Sequence, residues 1–179
     1  MKSKQQTKKI YIVLTYTGTI LSKIIKTYTK EEFSHVSIAL DEELNELYSF
    51  GRLNPYNPFI GGFVHESLNK GTFKRFKNII TEIYSIEVTN KQYEKIKHKI
   101  KKMKRKRYLY KFNILGLFAV ALKIKIKKEN YFYCAEFVKH LLDESKVNHN
   151  LPLLIKPNDF KYIEGTDLTY RGFLREYNI

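Results

Sequence analysis

The sequence predicts an α+β fold, an antiparallel sheet packed on helices, in a single domain spanning residues 1–179. Two patterns lead to this reading. Short β-rich runs crowd the first half of the chain and helical periodicities the second, and that segregation belongs to α+β architecture rather than alternating α/β. Four Pro and eight Gly are too few for a long linker, so the whole chain is assigned to one unit.

Taken in order, Ile10 to Tyr16 reads as a buried strand. Thr19 is expected to cap a short helix through Ile20, Ile24 and Ile25. His35 to Leu40 alternates, with Val36, Ile38 and Leu40 on one face and His35, Ser37 and Ala39 on the other. Asp41-Glu42-Glu43 turns the chain, and Glu46 to Phe50 is the expected hairpin partner. Gly51 to Gly62, rich in Asn, Pro and Gly, reads as a loop that covers a site through Arg52, Tyr56 and Phe59. Phe63 to Leu68 and Ile79 to Val88 read as two more strands. A basic helix capped by Thr89 or Asn90 runs to about Arg107, with Ile96, Ile100 and Met103 as its apolar stripe. An apolar helix is expected over Tyr110 to Ile124, and another over Phe132 to Ser145 that buries Phe137, Val138, Leu141 and Leu142. Pro157 to Tyr177 reads as mixed, with short helical turns.

Composition bounds the function. The single Cys excludes an internal disulfide and fits a reducing compartment, so a cytoplasmic location is expected. Ile10 to Leu14 is too short for a signal-peptide core, and no window reaches the roughly 18 apolar residues of a membrane span. The net charge of +15 is concentrated between Lys91 and Lys128. That region is a candidate contact for nucleic acid, another anionic polymer or a membrane surface, though a solvated basic helix explains the same lysines. Tyr93, Tyr108, Tyr110 and Phe112 are the aromatics there that would stack on bases, or else pack the following helix. One Cys without a close His pair makes a poor zinc set, and there is no phosphate-binding Gly motif or Ser nucleophile elbow. No metal or other cofactor is expected, and the oligomeric state is left open.

The chemistry-bearing residues are Cys134 and His35. Cys134 falls in the first turn of its predicted helix, where backbone N–H groups and the helix dipole favour thiolate. Thiolate is the nucleophilic form. A buried structural Cys among Phe132, Phe137 and Val138 is the plainer alternative. His35 opens a strand beside the small residues Ser37 and Ala39, which leave room for another element to reach the imidazole. His140 lies six residues beyond Cys134 and, at about 100° per residue, faces away from it. His65, His98 and His149 read as surface residues.

With these residues on the page, a resemblance can be stated. Ser-His-Val-Ser-Ile-Ala-Leu, followed about a hundred residues later by Tyr-Cys-Ala-Glu-Phe-Val, resembles the circularly permuted papain-like enzymes. These include the YaeF/YiiX amidase group and are relatives of NlpC-type peptidases and lecithin:retinol acyltransferase. The likeness extends from the first strand to Pro157-Asn158-Asp159-Phe160, with His preceding Cys as in the permuted members. It implies a cysteine hydrolase or acyltransferase acting on an amide, ester or thioester of a small-molecule, peptide or lipid-like substrate. Cys134 would be the nucleophile, His35 the base, and a third polar residue would orient the imidazole. If Leu40 pairs with Glu46, Ser37 falls opposite Ser49 on the His35 face, which makes Ser49 the expected third residue. Tyr48 would take its place after a one-residue slip, and Glu66 is a further candidate if its strand neighbours the site.

Overall fold

The computed structural model describes residues 6–19, 22–23, 26–27, 30–54, 56–126 and 128–177. The chain runs β1 (Thr7–Tyr16), β2 (His35–Ala39), β3 (Leu47–Asn54), β4 (Asn57–His65), the short α1 (Gly71–Arg75) and β5 (Ile80–Thr89). There follow α2 (Asn90–Arg105), β6 (Lys111–Phe112), α3 (Ile114–Ala121), β7 (Tyr131–Phe132), α4 (Cys134–Ser145) and β8 (Thr166–Phe173). Single-turn 3₁₀ segments lie at Arg107–Leu109 and Leu174–Glu176, and a longer one at Pro157–Tyr162. The main sheet has the order β4-β3-β2-β1-β5-β8, and each neighbouring pair is antiparallel. The α+β expectation therefore holds at the level of an antiparallel sheet with helices.

The central strand β1 is buried on both faces, which is why Ile10 to Leu14 is continuously apolar rather than alternating. Ile10, Ile12 and Leu14 join Val36, Ile38, Tyr48 and Phe50 in the larger core. Ile96, Ile100 and Met103 of α2 and Phe137, Val138, Leu141 and Leu142 of α4 complete it. On the opposite face Tyr11, Val13, Ala39, Leu47 and Ile83 meet Phe73, Ile79 and Leu174. Thr89 caps α2: its Oγ1 accepts from Gln92 N at 3.2 Å, and Gln92 Oε1 accepts from Thr89 N at 2.8 Å. This reciprocal box fixes the helix start where Thr89 was expected to place it.

Several elements differ from expectation. Gly51 to Gly62 is not a loop. β3 continues to Asn54 and β4 begins at Asn57, so the segment is a paired hairpin with Gly51 opposite Gly62 and Arg52 opposite Gly61. The glycines that read as breakers serve close approach. A Cβ on Gly61 would stand 2.8 Å from Phe112 Cβ and 2.9 Å from Gly51 O, so the hairpin packs against β6 only with Gly there. Strand β4 ends at His65 rather than Leu68. The apolar helix begins later than expected, because Tyr110 to Phe112 lead into and form β6, and Asn113 then caps α3 by accepting from Gly116 N at 2.9 Å. β8 lies within the stretch read as mixed. It is an edge strand, largely exposed, so hydrophobic alternation is weak there. Thr19 Oγ1 accepts from Ser22 N at 3.3 Å, as a cap should, and Ser22–Lys23 and Lys26–Thr27 are helical; Ile20, Ile24 and Ile25 lie outside the described residues. No helix among the described residues is long and apolar enough to cross a membrane.

Phe50 links the hairpin to the Cys134 helix. Its ring centroid lies 5.1 Å from that of Phe137 and 5.3 Å from that of Phe132. Phe50→Ala is predicted to lower unfolding free energy by about 3–5 kcal/mol in urea titrations. A loss below about 1 kcal/mol would contradict this packing.

Candidate active site

Cys134 is the first residue of α4, which matches its expected place in the first helical turn. The preceding Tyr133 N–H donates to Glu136 Oε2 at 3.3 Å, and Tyr133 Oη donates to Ile155 O at 2.9 Å. These two bonds pin the helix start and hence the sulfur. His35 is the first residue of β2, and its position is fixed by its neighbours: Ser34 N donates to Thr15 O at 3.2 Å and Phe33 N to Asn158 Oδ1 at 3.0 Å. Asn158 in turn donates to Glu31 Oε2 at 2.8 Å. The sequence reading included Asn158 in the C-terminal segment without seeing this anchoring role.

His35 carries the parity of the Ser37 and Ala39 face, whereas Cys134 packs with the helix-side core. The two meet around the end of β2, and both line one cavity of about 540 Å³, a size suited to a small ligand. Cys134 is 3% exposed yet belongs to the cavity wall. Its sulfur is close enough to the imidazole to act on the ring's charge.

Behind the ring stands a carboxylate. Glu66 follows β4, and its backbone N–H donates to Leu47 O at 2.8 Å, which continues the β3–β4 register by one residue. Glu66 Oε1 lies 3.0 Å from His35 Nε2. Ser37 Oγ donates to Glu66 Oε2 and lies 3.3 Å from the same ring nitrogen. With Nε2 so occupied, Nδ1 is the ring nitrogen left for the sulfur.

The expected third residue, Ser49, sits where the register argument put it. Ile38 pairs with Tyr48 and Leu40 N donates to Glu46 O at 3.1 Å, so Ser37 falls opposite Ser49. Ser49 Oγ is buried and aimed at the Glu66 carboxylate without reaching ordinary hydrogen-bond geometry, and it makes no bond to the imidazole. The ring's partner is Glu66, which was weighed as an alternative. A pairing argument limited to β2 and β3 could not reach it, because β4 brings it in from the far side of β3. Tyr48 points to the other face and stacks on His65 at 4.7 Å. Gly51 sits at the centre of the group. A Cβ there would be 3.5 Å from His35 Cε1, 3.5 Å from Ser49 Oγ and 3.8 Å from Glu66 Oε1.

Burial works against charge on both members of the pair, and their mutual attraction outweighs it. Burial pulls the His35 imidazole down. The Glu66 carboxylate, together with hydrogen bonding and charge from Cys134, raises it from its ordinary 6.5 to about 10. Burial likewise pushes the Glu66 carboxyl up, but His35 and then the Ser37 and Ser49 hydroxyls hold it below its ordinary 4.5. Among the described residues no three His, Cys, Asp or Glu side chains are grouped to hold a metal ion. Three of the other four histidines have partners elsewhere. His65 Nε2 bonds to Asn45 O at 2.8 Å, His149 Nε2 to Asp143 Oδ1 at 2.8 Å, and His140 packs 5.2 Å from the Phe132 ring.

The fold and site define an α+β protein with a Cys–His–carboxylate group in a cavity. In comparisons with family models and with curated proteins, the chain matches none.

The pair carries a pH signature. His35 is raised, so its stabilisation is complete below 6.5 and is lost as pH climbs to about 10. Glu66 is lowered, so its stabilisation is present above 4.5 and is lost as pH falls through its folded value. The stability difference between the native chain and Glu66→Gln is predicted to be largest between pH 4.5 and 6.5 and to shrink toward 10 in thermal melts. A difference independent of pH would contradict an ionised pair.

Proposed function

We propose that this chain is a cysteine-dependent hydrolase or acyltransferase of circularly permuted papain-like, NlpC-related type, acting on an amide, ester or thioester of a small-molecule, peptide or lipid-like substrate. One observation carries the reading: Cys134 opens a helix in the same cavity as His35, whose far nitrogen is held by buried Glu66. The residues proposed to act are Cys134 as nucleophile, His35 as acid and base, and Glu66 as the group that orients and charges the imidazole. Ser37 donates to the carboxylate, and Ser49 stands beside it without a hydrogen bond.

In the proposed reaction His35 takes the Cys134 proton, giving thiolate and imidazolium. The helix N-terminus stabilises the sulfur charge, and Glu66 stabilises the ring charge. Sulfur attacks the acyl carbon, a C–S bond forms and the carbonyl electrons move to oxygen. Backbone N–H groups at the start of α4 are the proposed donors to that oxyanion; losing one such donor typically costs about 10²–10³ in rate. The imidazolium proton passes to the leaving nitrogen, oxygen or sulfur as its bond to carbon breaks. The ring then takes a proton from water or another acceptor, which attacks the thioester and releases thiolate. Deep burial of sulfur fits a nucleophile that meets substrate only inside the cavity.

A second reading, a binding module for nucleic acid or another anionic polymer, draws on the exposed lysines of α2. Lys91, Lys97, Lys101, Lys102 and Lys104 face solvent. The aromatics give it less support. Tyr93 Oη donates to Leu40 O at 2.8 Å, and Tyr110 and Phe112 pack on the core, while Tyr108 is exposed. Such binding would fall steeply with salt, and a flat salt response would dismiss it. The two readings are compatible, since a basic flank can recruit an anionic substrate.

The test is a panel of acyl, peptide and lipid-like substrates with alkylation of Cys134 in parallel. Cys134→Ala is expected to abolish turnover, and His35→Ala to lower it by about 10²–10⁴. Glu66→Gln is expected to move the alkaline limb of kcat/KM down from about 10 toward 6.5. Thiol labelling at neutral pH that is slow and indifferent to His35→Ala would remove the reading.

A further inference from the structure

The cavity contains a cation that the proposed acyl transfer does not use. Arg52, on β3, lines the wall together with Cys134 and His35. Its Nη2 donates to Thr19 Oγ1 at 2.9 Å, and its guanidinium lies 5.8 Å from the Phe76 ring. Neither neighbour carries charge, and among the described residues no carboxylate pairs with it. Burial and then the like charge of Arg75 both act against the Arg52 cation. Arg75 lies over the Tyr56 ring at 4.0 Å and the Phe76 ring at 5.2 Å, so two guanidinium groups flank Phe76, of which Arg52 alone lines the cavity. Lys70 joins Arg52 as a second basic side chain of the cavity lining. Of the two carboxylates in that lining, Glu66 is committed to His35, which leaves Glu43 against these cations.

Among the described residues one hydroxyl accepts from this half-buried guanidinium, and a guanidinium with donors left over and its charge only partly hydrated is costly to keep. Its planar fork matches two oxygens of a carboxylate or phosphate, a geometry a lysine cannot reproduce. We propose that Arg52 forms an anion subsite, which receives a carboxylate or phosphate group of the substrate while the acyl carbon lies at Cys134. The subsite's role in turnover rests on the cysteine-enzyme reading; its ability to bind an anion does not.

The experiment is calorimetric titration of the native chain and of Cys134→Ala with glutarate and with inorganic phosphate, at constant ionic strength. Both proteins are expected to bind at least one of the two anions. Arg52→Gln is expected to weaken that binding roughly tenfold or more, the scale of a lost charge-assisted hydrogen bond. Arg52→Lys is expected to retain part of it, which shows that the Gln effect is not misfolding. Lys9→Gln, at an exposed position of β1, is expected to leave it unchanged. Binding of glutarate alone assigns a carboxylate-bearing substrate, binding of phosphate alone a phosphate-bearing one, and binding of both a general oxyanion site. No binding of either anion, or equal weakening by Lys9→Gln, overturns the subsite. Arg52-dependent binding in a chain that turns over no acyl substrate keeps the subsite and removes the enzyme reading. Turnover without Arg52-dependent binding does the reverse.

Discussion

The contact between His35 Nε2 and Glu66 is the constraint on which the rest of the site depends. A buried imidazole with no partner stays neutral, and a buried carboxylate with no partner takes up a proton. Each becomes chargeable because the other is there. The pairing requires β4 to run beside β3 and β3 beside β2 in one register. His35 opens β2, and Glu66 follows the last residue of β4. A slip of one residue in either ladder would send one partner to the opposite face of the sheet. The two cores on either side of the sheet therefore hold more than the fold. They hold the register that brings two desolvated charges together.

Much of this was legible in the sequence, and the gaps have physical causes. Alternation in His35 to Leu40 is clean because Val36, Ile38 and Leu40 enter the helix-side core while His35 and Ser37 meet the Glu66 carboxylate on the other face, so its faces, and the pairing of Leu40 with Glu46, were readable. The stripe of Ile96, Ile100 and Met103 was readable because α2 has one buried side. The hairpin of β3 and β4 was hidden by composition. Asn, Pro and Gly normally mark a break, yet here Gly61 is needed so that Phe112 can approach. β8 was hidden by exposure. Its attachment rests partly on Glu82, which is buried and paired with Arg171 at 3.0 Å and with Lys161 at 2.8 Å, and such long-range ion pairs have no periodicity to detect. Within the site, Cys134 and His35 stood out through position in their elements. Glu66 did not, because its value comes from a strand two places away in the sheet.

The placement of charge in the cavity also has a consequence for how the proposed reaction would cycle. Glu66 can only accept while it is ionised, so the ring must keep a proton on Nε2 whether His35 is imidazolium or neutral imidazole. Ser37 Oγ gives its own proton to the other carboxylate oxygen and so reinforces that state. The nitrogen that gains and loses a proton is then Nδ1, on the side of the sulfur. Once the ring has taken the thiol proton, the sulfur is negative and the ring positive. After acylation the sulfur is a neutral thioester and the ring has passed its proton to the leaving group. The two charges appear and vanish together, so the sum over sulfur and ring is the same before and after. A low-dielectric cavity tolerates that exchange far better than it tolerates a net change of charge. Glu66 keeps its charge throughout, and in the proposed subsite a substrate anion would balance the guanidinium of Arg52.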